Sequence, residues 1–535
     1  MSFADLLSRT RHLLRRHIWF TVLVTIGFAL RLLVLVTFRP ALEFLQDSYD
    51  YLLNAQHLRP GVVRPLLYPA LLRMAGLLGG VPLIPVLQHL AGLGMAALLY
   101  ATLLRSGARR WLAAVGVAPL LLDAYQLDIE QFVLSETVFE ALIVVSVACL
   151  LWRDCPSLVV AACAGTTTAA AVLTRDVGAV LIVGPIVLLL LRRVGWRVLT
   201  AFTVTAAVPL IAYAAWFASL HGPFGLQRYS GIMLASRAMT IADCSRTSVP
   251  AEERPLCVTQ PRGQRQSSDW YASHPHSPLR RFVLQPGQNR DAVAGDFARR
   301  IIRAQPLDYA GLVGSDLSHY FAWSRSTGRT EDPIAHWQFA DHRLPRAWFP
   351  LRQPKDPYTE ALPPIGGAAP NQSTVASYGT HSERLHPTIW TTGQSWLAGY
   401  QRVAYTPGTL LAVGMVLGAV AGLGRLPVSL RRMRWDAVAL SALGVALLSA
   451  TSLAAVFQYR YVLPVLPLLP PAGALGLELM LRRHELAREG DHHRQPERSR
   501  GNAVAALLQP WRASGRATGP ASRQKTTATK PAKAS

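Results

Sequence analysis

IWFTVLVTIGFALRLLVLVTF, residues 18–38, is followed a few positions later by QDSYDY, residues 46–51. The first stretch is long enough to cross a bilayer as a single helix, and Arg31 is its only charge. Arg9, Arg11, Arg15 and Arg16 precede it, so the excess of positive charge on the cytoplasmic side places the amino terminus there. Its apolar region exceeds that of a cleaved signal peptide, and the stretch reads as a retained anchor. The acidic run Asp47-Ser48-Tyr49-Asp50-Tyr51 then emerges on the outer face, at the membrane–water boundary.

The rest of the chain repeats the pattern. Of 535 residues, 51% are hydrophobic, and runs of about twenty apolar residues recur, more than a soluble core requires. About ten spans are predicted: Ile18–Phe38, Pro82–Leu104, Trp111–Leu122, Phe132–Trp152, Ser157–Leu173, Val177–Leu191, Val198–Ala218, Pro407–Gly424, Trp435–Val456 and Val462–Leu481. The fifth and sixth are short and come as a pair, so they either cross fully or form a re-entrant hairpin. With the short third span included, Arg105/Arg109/Arg110, Arg192/Arg193/Arg197 and Arg425/Arg431/Arg432/Arg434 all fall on the cytoplasmic side. The net charge of +23 is thereby explained by short inter-span arginine clusters and a basic tail, which argues against nucleic acid as a partner.

The expected fold class is therefore an all-α polytopic membrane protein with a large mixed outer loop. Residues 1–17 form a cytoplasmic amino terminus, 18–218 a first transmembrane module, 219–405 the large extracytoplasmic loop, 406–481 the carboxy-terminal helices, and 482–535 a disordered basic cytoplasmic tail in reach of anionic lipid. Within the loop, Asp296–Ala304 and Leu307–Phe321 carry helical spacing, whereas about Ser326–Ser382 is rich in Pro, Gly, Ser, Thr and His and reads as irregular. Cys244 and Cys257 lie in this loop. In an oxidising compartment they form a disulfide, the alternative being two free thiols.

Several charged residues gather at the outer boundary. If Asp47 starts a helix, Asp47 and Tyr51 share one face, Asp50, Asn54 and His57 form another polar line, and the segment lies amphipathically along the membrane surface. Arg64 and Tyr68 follow one helical turn apart at the interface, and arginine there suits a phosphate because its planar fork binds two oxygens. Asp128, Glu130 and Glu136 flank the start of the fourth span. A carboxylate at Glu136 needs a partner, and Arg175 and Arg460 lie at the same boundary, each suited to pairing with it or to binding phosphate. Arg31 carries the same two readings. The histidines and cysteines match no metal-site spacing, and nucleotide-binding and Gly-x-Ser-x-Gly motifs are absent.

These pieces resemble the GT-C superfamily of integral-membrane glycosyltransferases, near the protein mannosyltransferase and aminoarabinose-transferase branch. Asp47-Ser48-Tyr49-Asp50-Tyr51 is similar to that branch's Asp-Glu-x-x-Tyr, Arg64-Pro65 with Tyr68-Pro69 to its interfacial Tyr-Pro segment, and Arg460-Tyr461-Val462-Leu463-Pro464 to its Arg-Tyr-x-x-Pro. Leu134-Ser135-Glu136 and Leu173-Thr174-Arg175 resemble its span-boundary motifs. Ser48 stands where the branch has a second acid, and Asp176 where many relatives have Pro.

The resemblance implies inverting transfer of a sugar from a polyprenyl-phosphate donor to an extracytoplasmic glycan, lipid or protein acceptor at the cell membrane. Residues 18–218 would be the catalytic module. Asp47 would be the general base, with Tyr51, His57, Arg64, Tyr68, Glu136, Arg175 and Arg460 binding substrate and phosphate. It requires no cofactor outright and leaves a divalent metal open, which the loss of the second acid at Ser48 argues against. A flippase of lipid-linked glycans and an inactive scaffold are the competing readings.

Overall fold

The computed structural model describes residue 12 and residues 14–328, 331–341, 388–423 and 427–507. The first eleven residues, most of the segment read as irregular and the tail beyond 507 lie outside the described residues. The chain divides into two units, residues 1–479 and 480–535, and the architecture below is that of the first.

The chain is an all-α membrane protein. Its first part comprises α1 (Ile18–Thr37), α2 (Leu45–His57), α3 (Leu67–Leu78), α4 (Leu83–Arg105), α5 (Arg110–Leu122), α6 (Ala124–Ile129), α7 (Glu136–Leu151), α8 (Leu158–Thr174), α9 (Val180–Leu191) and α10 (Trp196–His221). The large loop contributes α11 (Ser230–Met239), α12 (Ser268–Ser273), α13 (Arg290–Ala304), α14 (Pro306–Tyr320) and α15 (Thr391–Gln401). Then come α16 (Gly408–Val420), α17 (Arg431–Ala454) and α18 (Leu469–Leu507). Two two-residue strands, β1 (Phe38–Arg39) and β2 (Thr388–Ile389), pair antiparallel, Phe38 opposite Ile389.

Each of the ten expected spans is a helix, but they differ in reach. Ile18–Thr37, Leu83–Arg105, Trp196–His221 and Val428–Ala454 are long and apolar enough to cross a membrane. A fifth span is a bent pair, Tyr459–Val465 with Leu469–Arg488, turned by 43°. Pro464, Pro470 and Pro471 account for the break, since proline removes a helix donor and crowds the preceding turn. The helix continues to Leu507, so residues 482–507, expected as disordered tail, are helical. The run Arg482-Arg483-His484-Glu485-Leu486-Ala487-Arg488 is made largely of good helix formers.

The bundle packs α1 on α5, α4 on α5 and α7, α8 on α7 and α10, and α9 and α16 on α17. Small residues allow the closest approach: a Cβ on Gly473 would lie 2.7 Å from the Cα of Gly414, so α16 and α18 touch backbone to backbone. On the outside, Trp19, Val22, Ile26, Val204, Val208 and Ile211 are exposed along α1 and α10. Apolar faces of this extent suit hydrocarbon rather than water.

The two ends of the bundle differ. At one, Arg192 donates to the Leu150 carbonyl at 2.7 Å and pairs with Asp436, and Arg432 donates to the Leu151 carbonyl at 2.6 Å. Arg105 lies over Trp152, 4.8 Å from the ring centroid, and Arg109 pairs with Glu478 at 3.3 Å. At the opposite end, Leu42 bridges Phe132, His221 meets the Pro60 carbonyl at 2.8 Å, and Trp390 donates to Thr37 at 2.9 Å. Gly222, at φ 87°, closes α10 there in a conformation that favours glycine.

The described part of the large loop is mainly helical, with strand β2 toward its end, and α13 and α14 fall where the apolar spacing predicts them, broken at Gln305-Pro306. Part of it has its own core, built from Ile232, Met239, Leu256, Tyr271, Phe297 and Ile301, and Cys244 is bonded to Cys257 beside it.

Candidate functional site

The opposite end from the arginine clusters gathers five ionised side chains into one chain of contacts. Asp47 is the third residue of α2 and does not cap it: the helix begins at Leu45, after Phe44. The i, i+4 reading of Asp47 and Tyr51 describes a face turned into the protein, because Ser48, Tyr51, Leu52 and Ala55 are buried against the bundle. The helix is therefore docked rather than laid amphipathically on a surface. Arg64 lies ahead of α3 in the connection, not one turn from Tyr68 on the same helix.

Asp47 Oδ1 takes Arg64 Nη2 at 2.6 Å, and its Oδ2 takes Arg460 Nη1 at 2.8 Å. The same Arg460 nitrogen is 3.3 Å from Glu136 Oε1, which Arg175 Nη1 reaches at 2.5 Å. Arg460 thus bridges two carboxylates that each hold a second arginine. It is almost fully buried, 4% exposed, whereas Asp47 and Arg64 are 18% and 22% exposed. With both carboxylates ionised, three guanidiniums against two carboxylates leave a net charge of +1. Burial works to raise the Asp47 pKa, but Arg64 and Arg460 outweigh it and hold the carboxyl well below the usual carboxylate range.

Aromatic rings line these cations. Arg460 lies 4.9 Å from the Phe44 ring, 5.3 Å from Trp337 and 5.3 Å from Tyr461, and Arg64 lies 5.4 Å from Tyr51. The Tyr51 hydroxyl is 2.8 Å from Ser135 Oγ, and its ring meets Tyr68 edge-on at 4.8 Å. Tyr68 donates to Gln88 at 3.1 Å.

Of the expected site residues, the structure brings together Asp47, Tyr51, Arg64, Glu136, Arg175 and Arg460, with Tyr68 behind Tyr51. His57 is not among them. It is exposed at the far end of α2, ten residues beyond Asp47 and so about 15 Å along the helix. Spacing alone put it on a polar line with Asp50 and Asn54; Asp50 lies near enough for its charge to act on Arg64, whereas His57 at the helix end is exposed.

Arg31 belongs to a separate buried network. It holds Glu130 through two contacts, Nε at 2.9 Å and Nη2 at 2.8 Å, and donates to the carbonyls of Leu120 and Leu121. His89 Nδ1 meets Glu130 at 2.8 Å, and Gln126 donates to both Glu130 and Glu140. An arginine forked onto a carboxylate with its remaining donors on backbone is satisfied, so Arg31 braces α1 against α5.

Sequence reasoning missed the loop's contributions. Trp337 stacks on Phe44 at 4.4 Å, and Asp332 accepts from Trp337 Nε1 at 2.8 Å while its backbone amide donates to the Phe457 carbonyl at 3.3 Å. Asp269 accepts from Gln458 at 3.1 Å. No local signal marks them, since each is an ordinary residue in a loop with no fixed register to the bundle.

The donor set at Asp47 does not fit a divalent metal. Both carboxylate oxygens are taken by guanidiniums, and Ser48 Oγ faces inward, accepting from Phe44 N at 2.8 Å and donating to the Val133 carbonyl at 2.9 Å. Among the described residues no group of three or more His, Cys, Asp or Glu could hold a metal ion.

Fold and site together define a helical membrane protein with a guanidinium–carboxylate cluster, rimmed by aromatic rings, at one end of its bundle. No family model and no curated protein matches the sequence. Two solved structures of the Archaeoglobus fulgidus oligosaccharyltransferase resemble it, one in the apo form and one, AglB, in complex with an inhibitory peptide and a dolichol-phosphate. In both cases identity is 13% and the TM-score 0.37, over 89% of this chain and 52% of that one. The chain spans about half the length of the solved structures it matches.

Proposed function

We propose that the chain is a membrane glycosyltransferase of GT-C type. It moves a sugar from a polyprenyl-phosphate donor to an extracytoplasmic glycan, lipid or protein acceptor. The observation that carries this reading is the convergence of Arg64, Arg175 and Arg460 on Asp47 and Glu136, a cation excess beside a carboxylate.

The orientation follows from charge. The arginine-rich end of the bundle faces the cytoplasm by the positive-inside rule, and the cluster end faces outward. The Cys244–Cys257 bond, on the cluster side in this topology, suits an oxidising compartment. A lipid-linked donor reaches such a site from within the bilayer, where nucleotide sugars are absent.

In the reaction the donor phosphate binds the guanidiniums. Drawing Arg64 and Arg460 partly toward that phosphate loosens their hold on Asp47, whose proton affinity rises as a result. Asp47 then takes the proton of the acceptor hydroxyl as its oxygen attacks the anomeric carbon. The new C–O bond forms as the bond from that carbon to the phosphate oxygen breaks. The leaving phosphate keeps the electron pair, its charge met by Arg175 and Arg460, and configuration inverts. The Tyr51 ring, backed by Tyr68, flanks Arg64, and no step runs through a metal.

The test uses wild-type protein and Asp47→Asn in lipid nanodiscs, supplied with polyprenyl-phosphate hexoses and pentoses and envelope acceptors. Release of free polyprenyl phosphate by wild type, lost in Asp47→Asn, supports transfer. Equal release by both removes Asp47 as the base, and lipid translocation without sugar transfer replaces the transferase with a flippase.

A further inference from the structure

Asp47 is a poor place for a proton to stay, because two guanidiniums hold it ionised. A second carboxylate stands close by. Asp269, in the first turn of α12, is carried by the large loop and is half-buried. Its Oδ2 accepts from Gln458 Nε2 at 3.1 Å, and Gln458 Oε1 in turn accepts from Arg460 Nε. A single neutral amide therefore separates Asp269 from the arginine that bridges Asp47 and Glu136.

The groups that face Asp269 come from three elements: Asp332 from the loop, Arg460 and Tyr461 from the turn before α18, and Asp47 from α2. Asp332 is itself occupied, by Trp337 Nε1 at 2.8 Å and His336 at 2.9 Å. Among the described residues Asp269 forms no ion pair, and Gln458 is its one side-chain partner. Glu136 and Asp47, by contrast, each contact two arginines.

We propose that Asp269 is the second acid–base group of this site, the carboxylate on which the acceptor's proton comes to rest before it leaves to solvent. This rests on the transferase reading above. The proton passes from the acceptor hydroxyl to Asp47 during displacement. It moves next to Asp269 through a water, which restores Asp47 for another turnover. Bond making and breaking at the anomeric carbon are unchanged, and the departing phosphate keeps its electron pair. Burial, with Asp332 adding to it, pushes the Asp269 carboxyl up to about 6, while Asp47 stays well below the usual range. The gradient runs from Asp47 to Asp269.

The experiment measures kcat and donor KM for polyprenyl phosphate release from pH 4.5 to 8, using full-length wild type, Asp269→Asn, Asp269→Glu and Asp47→Asn in nanodiscs. Wild-type kcat should fall as pH drops through about 6, where Asp269 becomes protonated and ceases to accept. Asp269→Asn should lower kcat by roughly 100-fold, leave donor KM unchanged and abolish that acidic limb. Asp269→Glu should recover most of the rate with the limb displaced. Wild-type kcat and limb in Asp269→Asn, with Asp47→Asn inactive, overturn the proposal and leave the transferase reading standing. No release by wild type from any donor overturns both. If Asp269→Asn does not fold, Asp269→Glu decides alone: a limb at the wild-type position overturns the proposal.

Discussion

Replacing Arg460 by Gln tests the cluster most directly. The change removes the bridge from Asp47 at 2.8 Å to Glu136 at 3.3 Å, but the Arg64–Asp47 and Arg175–Glu136 pairs remain, and the cluster becomes electrically neutral. A phosphate about 4 Å from a guanidinium gains ~4 kcal/mol at an effective dielectric constant near 20. Adjustment by the two remaining arginines recovers part of this, leaving a loss of ~2–3 kcal/mol, or roughly 30- to 150-fold in affinity. Arg64→Gln should cost less, about tenfold, because Arg64 is 22% exposed and its field is screened by solvent. Calorimetric titration of a short-chain polyprenyl phosphate into protein in nanodiscs, at low and moderate salt, measures both. The cluster is not a phosphate clamp if Arg460→Gln binds within threefold of wild type while melting within a few degrees of it.

Three further outcomes follow from particular contacts. The folded-state pKa of Asp47 is depressed, so its stabilising pairing is fully present above the ordinary carboxylate range and is lost only as pH falls through the lower folded value. The melting-temperature difference between wild type and Asp47→Asn should stay constant from pH 8 to 5 and shrink only in more acidic buffer. Gly92→Ala would place a Cβ 2.2 Å from Glu130 Oε1 and 2.7 Å from Arg31 Nη2. Forcing that buried pair apart should cost about 3 kcal/mol, seen as a large drop in melting temperature in detergent, and a stable Gly92→Ala protein would refute the described packing. Cys244→Ser opens a loop with a sequence separation of 13, worth about 3 kcal/mol by chain entropy, and should expose the 230–304 region to limited proteolysis while the bundle helices stay resistant.

Much of the architecture was legible in the sequence because its determinants are local. An apolar run of about twenty residues crosses hydrocarbon as a helix whatever surrounds it, since an unpaired backbone polar group there is too costly. The arginine clusters likewise mark one set of helix ends, and the structure gathers them at one end of the bundle. Asp47 and Tyr51 share a face because a helix has 3.6 residues per turn. What that face touches was not legible, and the expected surface helix is a docked one.

Tertiary structure alone decided the site. Arg460 and Asp47 come from opposite ends of the first unit and meet only because the proline-broken last span presents its turn beside α2. Arg31 carried two readings until α5 and Glu130 closed around it. Trp337 reaches Arg460 directly, and Asp269 through Gln458, from a loop whose composition carries no register. The sequence by itself determined which apolar segments are helices and where the charges fall along each one. Which charges pair across the bundle depends on packing summed over many distant contacts, and no short stretch of residues contains that information.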